Sequence, residues 1–194
     1  LDPVDTVPVA SVDYPPSDKV IYEGETVSFR GSVTDGNRPF TYRWDFGNGE
    51  TSDAEESEDV LFETPGKYTA TFTVTDGHGD TDEASVTVSV YAEPAAAIVS
   101  PIPDESVIQG SPVSFRADVT GGYGEMTYLW NFAGGSENSD EKEPENVVFG
   151  EPGAYPVAFV VTDENGKQAL AEMRLTVIAD LIPVASIVEP ESDV

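Results

Sequence analysis

Several residue types are missing or scarce in this chain of 194 residues, and each scarcity excludes a class of function. Cysteine is absent, which excludes disulfides, thiol chemistry and zinc bound by cysteine. The one histidine, His78, lies among glycines and carboxylates in a predicted turn, so a nucleophilic triad lacks its base and a solvated surface residue is expected. No apolar run reaches the roughly 18 residues that a membrane-spanning helix needs.

Basic residues are also scarce, because nine Lys and Arg stand against 37 Asp and Glu, a formal net charge of −28. So negative a chain repels phosphate, which excludes nucleic acid and anionic membrane surfaces as partners. Three interpretations of the acidity stay open. They are solubility, adaptation to salty surroundings that screen self-repulsion, and calcium binding by clustered carboxylates.

What the chain does contain is a repeat about one domain long. The repeated segments carry an aromatic and a proline–glycine motif, and they read Y-R-W-D-F-G-N-G (42–49) against Y-L-W-N-F-A-G-G (128–135), and T-P-G-K-Y-T-A-T-F-T-V-T-D (64–76) against E-P-G-A-Y-P-V-A-F-V-V-T-D (151–163). The period is 86 positions from Trp44 to Trp130. A period of this length predicts separate domains, each with its own core, rather than a solenoid.

The repeat predicts a domain at 1–91, a second at 92–180 and the first strand of a truncated third at 181–194. Each full repeat is large enough to fold without disulfides or metals. The link Tyr91-Ala92-Glu93 is short and not rich in Gly or Ser, so we expect an end-to-end, semi-rigid array. The chain is therefore expected to be an internal or processed segment of a longer protein.

Apolar and polar residues alternate with a period of two, and helical periodicity is nearly absent. In the first repeat Val27 and Phe29 begin one such series, and Tyr68, Ala70 and Phe72 belong to another. Short strands separated by Gly, Pro, Asn and Asp predict an all-β fold of two antiparallel sandwiches, seven strands in each. Trp44 and Trp130 lie in mid-strand and are predicted to anchor the two cores.

The series W-D-F-G-N-G, then P-G-x-Y, then a strand ending in V-T-D resembles the PKD (polycystic kidney disease) domain. The resemblance covers nearly all of both repeats and implies tandem immunoglobulin-like β-sandwiches from the extracellular part of a multidomain protein. Such domains serve in surface layers, adhesins and accessory modules of secreted hydrolases, and are not usually catalytic. The second repeat departs from the motif, because Asn131 replaces Asp45. The motif is therefore interpreted as structural.

The resemblance also implies a candidate calcium site, because some bacterial PKD-like domains bind this ion through an Asp after the second strand and another after V-T. The candidates in the first repeat are Asp35, Asp76, Asp80 and Asp82. The second repeat keeps an aspartate after V-T but has Gly121-Gly122 near the place of Asp35. Calcium needs six to eight oxygens, and the pattern supplies few. No metal, cofactor or catalytic residue is therefore assigned from the sequence.

The densest acidic stretches, 50–59 and 137–145, are predicted to be solvated loops rather than a cleft with paired catalytic carboxylates, so an enzyme is not expected. Two functional hypotheses follow. The first is a structural or spacer module of a cell-surface, surface-layer or filament protein, with neighbouring repeats, a protein, a glycan or a second copy as partner. The second is a substrate-targeting module of a secreted hydrolase, with exposed tyrosines as candidate contacts, namely Tyr14, Tyr22, Tyr91 and Tyr123.

Overall fold

The computed structural model describes residues 5–102 and 105–181, and every regular element in these ranges is a strand. The chain divides between Glu93 and Pro94 into two compact units, here unit 1 and unit 2. Each unit has a separate hydrophobic core, which confirms the predicted tandem of immunoglobulin-like sandwiches. The predicted strand at 181–194 lies outside the described residues except for Leu181. No helix among the described residues could cross a membrane.

Unit 1 is a sandwich of a three-stranded and a five-stranded sheet. Its strands are β1 (Pro8–Tyr14), β2 (Lys19–Tyr22), β3 (Glu25–Asp35), β4 (Thr41–Asp45), β5 (Thr51–Ser52), β6 (Glu56–Phe62), β7 (Gly66–Thr75) and β8 (Thr81–Tyr91). The strand orders are β1-β3-β6 and β2-β8-β7-β4-β5. Neighbouring strands are antiparallel except β2 and β8, which pair in parallel.

Unit 2 repeats this layout with shorter ladders on one side. Its strands are β9 (Ala95–Ser100), β10 (Ser106–Ile108), β11 (Pro112–Val113), β12 (Arg116–Thr120), β13 (Thr127–Asn131), β14 (Val147–Val148), β15 (Gly153–Thr162) and β16 (Gln168–Ile178). One sheet has the order β10-β16-β15-β13, with β10 and β16 parallel. The pairs β9–β12 and β11–β14 form the other side.

The described part of each unit contains eight strands, so the prediction of seven was wrong. One reason is that the N-terminal segment of the unit forms two short strands, one in each sheet. In unit 1, β1 pairs with β3 in one sheet, and after Pro15 and Pro16 the chain continues as β2, which pairs with β8 in the other. Proline lacks the N–H that a ladder needs, so the two prolines end one pairing before the next begins.

The alternating apolar positions face the interior as predicted. Trp44 and Trp130 are fully buried, and each indole N–H donates to a carbonyl oxygen at 3.3 Å, that of Glu55 and of Lys142 respectively. The ring centroids of Phe29 and Trp44 are 5.3 Å apart, and the equivalent pair in unit 2 has the same separation. The two cores therefore share one aromatic arrangement. Contacts between such rings stabilise a fold beyond the contribution of their buried area.

A tyrosine fixes the start of the long strand in both units. The hydroxyl of Tyr68 donates to the carbonyl oxygen of Thr64 at 2.9 Å, and that of Tyr155 donates to Glu151 at 2.8 Å. Such a bond to backbone a few residues upstream is a known corner of immunoglobulin-like folds. It holds the proline–glycine turn against β7 and β15.

One acidic stretch predicted as a loop is partly a strand. Glu56–Phe62 forms the edge strand β6, which pairs with β3 and includes the register pair Phe29 and Ser57. In unit 2 Pro144 lies where Ser57 lies in unit 1. The N–H of Phe115 still donates to the carbonyl oxygen of Pro144 at 2.9 Å. Pro144 has no N–H with which to form the second hydrogen bond of a ladder pair. The ladder accordingly shrinks to β14, and 137–145 stays irregular apart from one bridge at Ser139.

Candidate functional site

The turn between β7 and β8 contains a buried carboxylate that organises the surrounding backbone. Asp76 is only 6% exposed. Its Oδ1 accepts the N–H groups of His78 at 2.9 Å and Asp80 at 3.0 Å, and its Oδ2 accepts that of Asn37 at 2.9 Å. The first two bonds close the turn, and the third ties the turn to the loop between β3 and β4.

Unit 2 reproduces this bonding at Asp163, which is 4% exposed. Its Oδ1 accepts the N–H groups of Asn165 at 3.0 Å and Lys167 at 2.9 Å, and its Oδ2 accepts that of Tyr123 at 3.0 Å. The aspartate of each V-T-D motif is thus a support for two loops, and several lone pairs of each carboxylate are already used by backbone donors.

These bonds change the acidity of the unit 1 carboxyl. The N–H of Asn37 has the largest effect in lowering the pKa of Asp76 below its usual value. Burial opposes this shift, and the N–H groups of His78 and Asp80 add to the lowering. Hydrogen bonds to the ionised form have this effect because protonation weakens them.

Two further acidic groups lie beside Asp76 in unit 1. Carboxylate oxygens of Asp5, Asp76 and Asp80 lie within 4.8 Å of one another. The Nδ1 atom of His78 lies 2.7 Å from Oδ1 of Asp5 and 2.8 Å from the side-chain nitrogen of Asn37. The hydrogen bond with Asp5 is the main reason that the pKa of His78 is raised, although burial opposes it and the other carboxylates add to it.

The structure therefore brings together two of the four calcium candidates. Asp76 and Asp80 are in this carboxylate group, whereas Asp35 and Asp82 are not. Asp35 ends β3 with φ 59°, and Asp82 accepts the N–H of Ala10 at 2.8 Å. Asp5 was not predicted, because it precedes β1 and only the long-range pairing of β1 with β3 brings it near the turn.

The three carboxylates of Asp5, Asp76 and Asp80 could hold part of the shell of a hard cation. Calcium takes six to eight oxygens at about 2.3–2.6 Å, so water would have to supply most of the shell. Two observations weaken the fit. Asp76 already accepts three N–H bonds, and Oδ1 of Asp5 already contacts Nδ1 of His78. Unit 2 fits less well, since Lys167 stands at the place of Asp80.

The altered W-D-F-G-N-G motif keeps one local bond. Oδ1 of Asp45 accepts the N–H of Gly47 at 2.9 Å, and Oδ1 of Asn131 accepts that of Ala133 at 2.8 Å. An amide oxygen therefore replaces the carboxylate oxygen without loss of the turn. This supports the interpretation of the motif as structural.

The four tyrosines proposed as ligand contacts do not form one row. Tyr22 is buried and faces Tyr91 in the β2–β8 register, while Tyr14 is 46% exposed on β1 in the other sheet. Tyr123 is half-buried and belongs to unit 2. Only Tyr14 thus offers a largely open ring among the four.

Known proteins share both the sequence and the fold. The PKD domain family matches residues 8–90 and 92–177, one match in each unit. A stretch of 59 residues is 44% identical to the pre-pro-metalloprotease PrtV of Vibrio cholerae serotype O1, and covers 30% of this chain but 6% of that protein.

Solved structures add the likeness of fold. Three immunoglobulin domains of titin align with a TM-score of 0.60 and 19% identity, over 89% of this chain and 66% of the titin chain. The eight N-terminal immunoglobulin domains of the Down syndrome cell adhesion molecule align with a TM-score of 0.51 and 21% identity. This alignment covers 92% of this chain and 28% of the adhesion molecule's chain. Each family match covers one of the two sandwiches, and the chain therefore belongs to the PKD domain family as two such domains in tandem.

Proposed function

We propose that this chain is a non-catalytic structural segment of a longer extracellular or cell-surface protein, and that its two domains set distance and resist unfolding under tension. The observation that carries the proposal is the parallel pairing of an early strand with the last strand in both units. β2 pairs with β8 from Lys19–Val88 to Tyr22–Tyr91, and β10 pairs with β16 in the same sense.

Parallel pairing matters because of the direction in which tension acts. A pull on the two ends of a unit draws β2 and β8 along their lengths in opposite directions. Parallel strands then load all their hydrogen bonds together, whereas an antiparallel pair pulled from adjacent ends opens one bond at a time. The last bond is the same in both units, since the N–H of Glu23 donates to Tyr91 at 2.9 Å and that of Gln109 donates to Ile178 at 2.8 Å.

Single-molecule force spectroscopy on the chain held at both ends tests the proposal. We expect two unfolding events, and the Glu23→Pro variant should lower the force of one of them because proline removes the closing N–H. Ser57→Pro is the matched control, because it interrupts the edge strand β6 and copies unit 2 without touching the β2–β8 pair. Equal unfolding forces for the original chain and the Glu23→Pro variant would contradict the load-resisting role.

The non-catalytic part of the proposal rests on the chemistry of the site. Asp76 and Asp163 are engaged with backbone, and the one histidine is paired with Asp5 at the surface. A screen of glycans and peptides at several pH values should show no turnover. Reproducible hydrolysis that disappears when one Asp or Glu is changed would overturn this part.

A second candidate function is a substrate-targeting module of a secreted hydrolase, and the match to a metalloprotease precursor favours it. Tyr14 is the exposed aromatic side chain with which such binding would be tested. Affinity electrophoresis in gels containing polysaccharides, with Tyr14→Ala beside the unaltered chain, separates the two candidates. Retardation that the variant loses would support targeting, and unretarded migration in every gel would contradict binding of those glycans.

A further inference from the structure

The outer faces of the two large sheets differ in chemistry although their strands are equivalent. In unit 1 the outward positions of β7 are Lys67, Thr69, Thr71, Thr73 and Thr75. In unit 2 the same positions of β15 are Ala154, Pro156, Ala158, Val160 and Thr162. Hydroxyl groups that suit water have thus been replaced by apolar side chains along one face of unit 2.

The contrast is sharpest in one row across three strands. The register aligns Leu129 of β13, Val160 of β15 and Leu170 of β16. Leu129 is 46% exposed and Leu170 is 58% exposed, so this apolar ridge faces solvent. The equivalent row of unit 1 is Arg43, Thr73 and Glu83, in which the hydroxyl of Thr73 donates to the Glu83 carboxylate at 3.0 Å.

A shallow groove lies further along the same face. Its lining includes Ala154 and Pro156 on β15 and the flanking side chains Glu172 and Arg174 on β16. At this depression the small side chains of β15 lie beside the longer side chains of β16. The face thus has an apolar ridge toward one end and an apolar groove toward the other.

Two opposite charges on β16 line this groove. Glu172 stands beside Ala158 in the register, and Arg174 stands beside Pro156. Both side chains are exposed, and neither forms an ion pair within the part of the chain that the structure describes. On a chain of net charge −28 this face is locally neutral, so it is a place where two like-charged molecules can approach.

We propose that the outer face of unit 2 binds the same face of a second copy of this chain. The face is complementary to itself about a two-fold axis that lies in the plane of the interface and runs across the strands. This axis passes between the Ala158–Glu172 row and the Pro156–Arg174 row. Glu172 then faces Arg174 of the second copy, and the reverse pair forms by symmetry. The same rotation places the ridge at Val160 over the groove at Ala154, as an isologous interface requires.

The size of the face sets the expected strength. The face has five rows, spaced by about 6.6 Å, along β15 and β16, and β13 adds a third strand about 4.8 Å away at three of these rows. The patch is therefore at most roughly 26 Å by 10 Å. This is well below the roughly 800 Å² per partner of a standard interface, so we expect a weak dimer with a Kd between about 10 µM and 1 mM. The structural role proposed above does not depend on this contact.

Sedimentation equilibrium of the whole chain up to about 1 mM in about 0.15 M salt tests the proposal. We expect a reversible monomer–dimer equilibrium. E172R alone and R174E alone should each weaken it at least 10-fold, because each places like charges opposite one another. The double variant E172R/R174E should restore the dimer, and an equimolar mixture of the two single variants should form a mixed dimer.

One control makes the charge change in unit 1 and another removes an apolar side chain from the proposed interface. E83R makes the same charge change as E172R on the polar face of unit 1, at the position equivalent to Leu170, and should leave the dimer intact. L170K should abolish the dimer while preserving both indole N–H signals of the folded units. A chain that stays monomeric at every concentration would overturn the proposal. A dimer that E172R, R174E and L170K do not weaken would also overturn it, because another surface would then be responsible.

Discussion

The turns at the two V-T-D motifs share the same backbone hydrogen bonds but differ in the charged residues beside them. Asp76 and Asp163 each accept three backbone N–H bonds at matching positions. Four residues further on, unit 1 has Asp80 and unit 2 has Lys167. The features common to both units, including the paired aromatic cores and the tyrosine corner, build the fold. Among the described residues, the carboxylate cluster belongs to unit 1 alone and the apolar face to unit 2 alone, and these features give each unit its own surface.

The largest expected effect concerns the shared cores. Trp44→Ala should destabilise unit 1 by about 3–5 kcal/mol through the loss of buried contacts and the cavity left behind. The same change at Trp130 should have a similar effect on unit 2. The chain has two tryptophans, so urea titration followed by NMR reports on one unit through each indole signal. An unchanged midpoint for unit 1 in Trp44→Ala would show that the core is assigned wrongly.

A smaller effect should separate the two cores at one position. Gly31 lies in close contact with the ring of Phe72, whereas unit 2 has the buried Ala117 at the equivalent place. Gly31→Ala should therefore cost about 1–3 kcal/mol by overpacking, even though alanine is tolerated in the other domain. The urea midpoint of unit 1 measures the cost. A neutral or stabilising change would mean that the Phe72 ring moves freely.

The turn carboxylates should matter in both units. Asp76→Asn and Asp163→Asn each replace one accepting oxygen by an NH₂ group that cannot accept a backbone N–H. Each variant should lower the thermal midpoint of its own unit and speed hydrogen exchange in the tied loop, as seen at the amides of Asn37 and Tyr123. Normal protection at those amides would refute the supporting role.

The pH dependence should differ between the units. The pKa of Asp76 is lowered, so its contribution is present above the usual value near 3.9 and is lost as pH falls through the lowered pKa. The pKa of His78 is raised, so its contribution is present below about 6.5 and is lost as pH rises through the raised pKa.

Raising the pH from about 6 to about 9 should therefore lower the midpoint of unit 1 slightly and leave unit 2 unchanged. His78→Asn copies Asn165 of unit 2 and should remove this slope. An unaltered slope in the variant would assign the pH dependence to another group.

The smallest expected effect is that of calcium. Asp5, Asp76 and Asp80 should give at most millimolar binding, in the range of weak extracellular modules, about 0.1–1 mM. Added calcium should raise the midpoint of unit 1 slightly, and Asp80→Lys, which copies unit 2, should abolish the gain. An equal gain in both units would point to general screening of charge instead.

Much of the fold could be predicted because its signals are local. Period-two alternation marks each long strand, and the repeated aromatic residues mark the core. β2 was not predicted because four residues carry too little pattern, and β6 was missed because acidic residues on an exposed edge strand resemble a loop. The candidate site was predicted in part. Asp76 and Asp80 are close in sequence, whereas Asp5 joins them only through the tertiary fold.

The central claim is that each unit folds around its own core. Amide NMR spectra of 1–93 and 94–194, produced separately and compared with the spectrum of the whole chain, test it most directly. We expect both fragments to give dispersed spectra that overlay on that of the whole chain except near the junction at Glu93–Pro94. A collapsed spectrum for either fragment would contradict the claim, because that unit would then depend on its neighbour to fold.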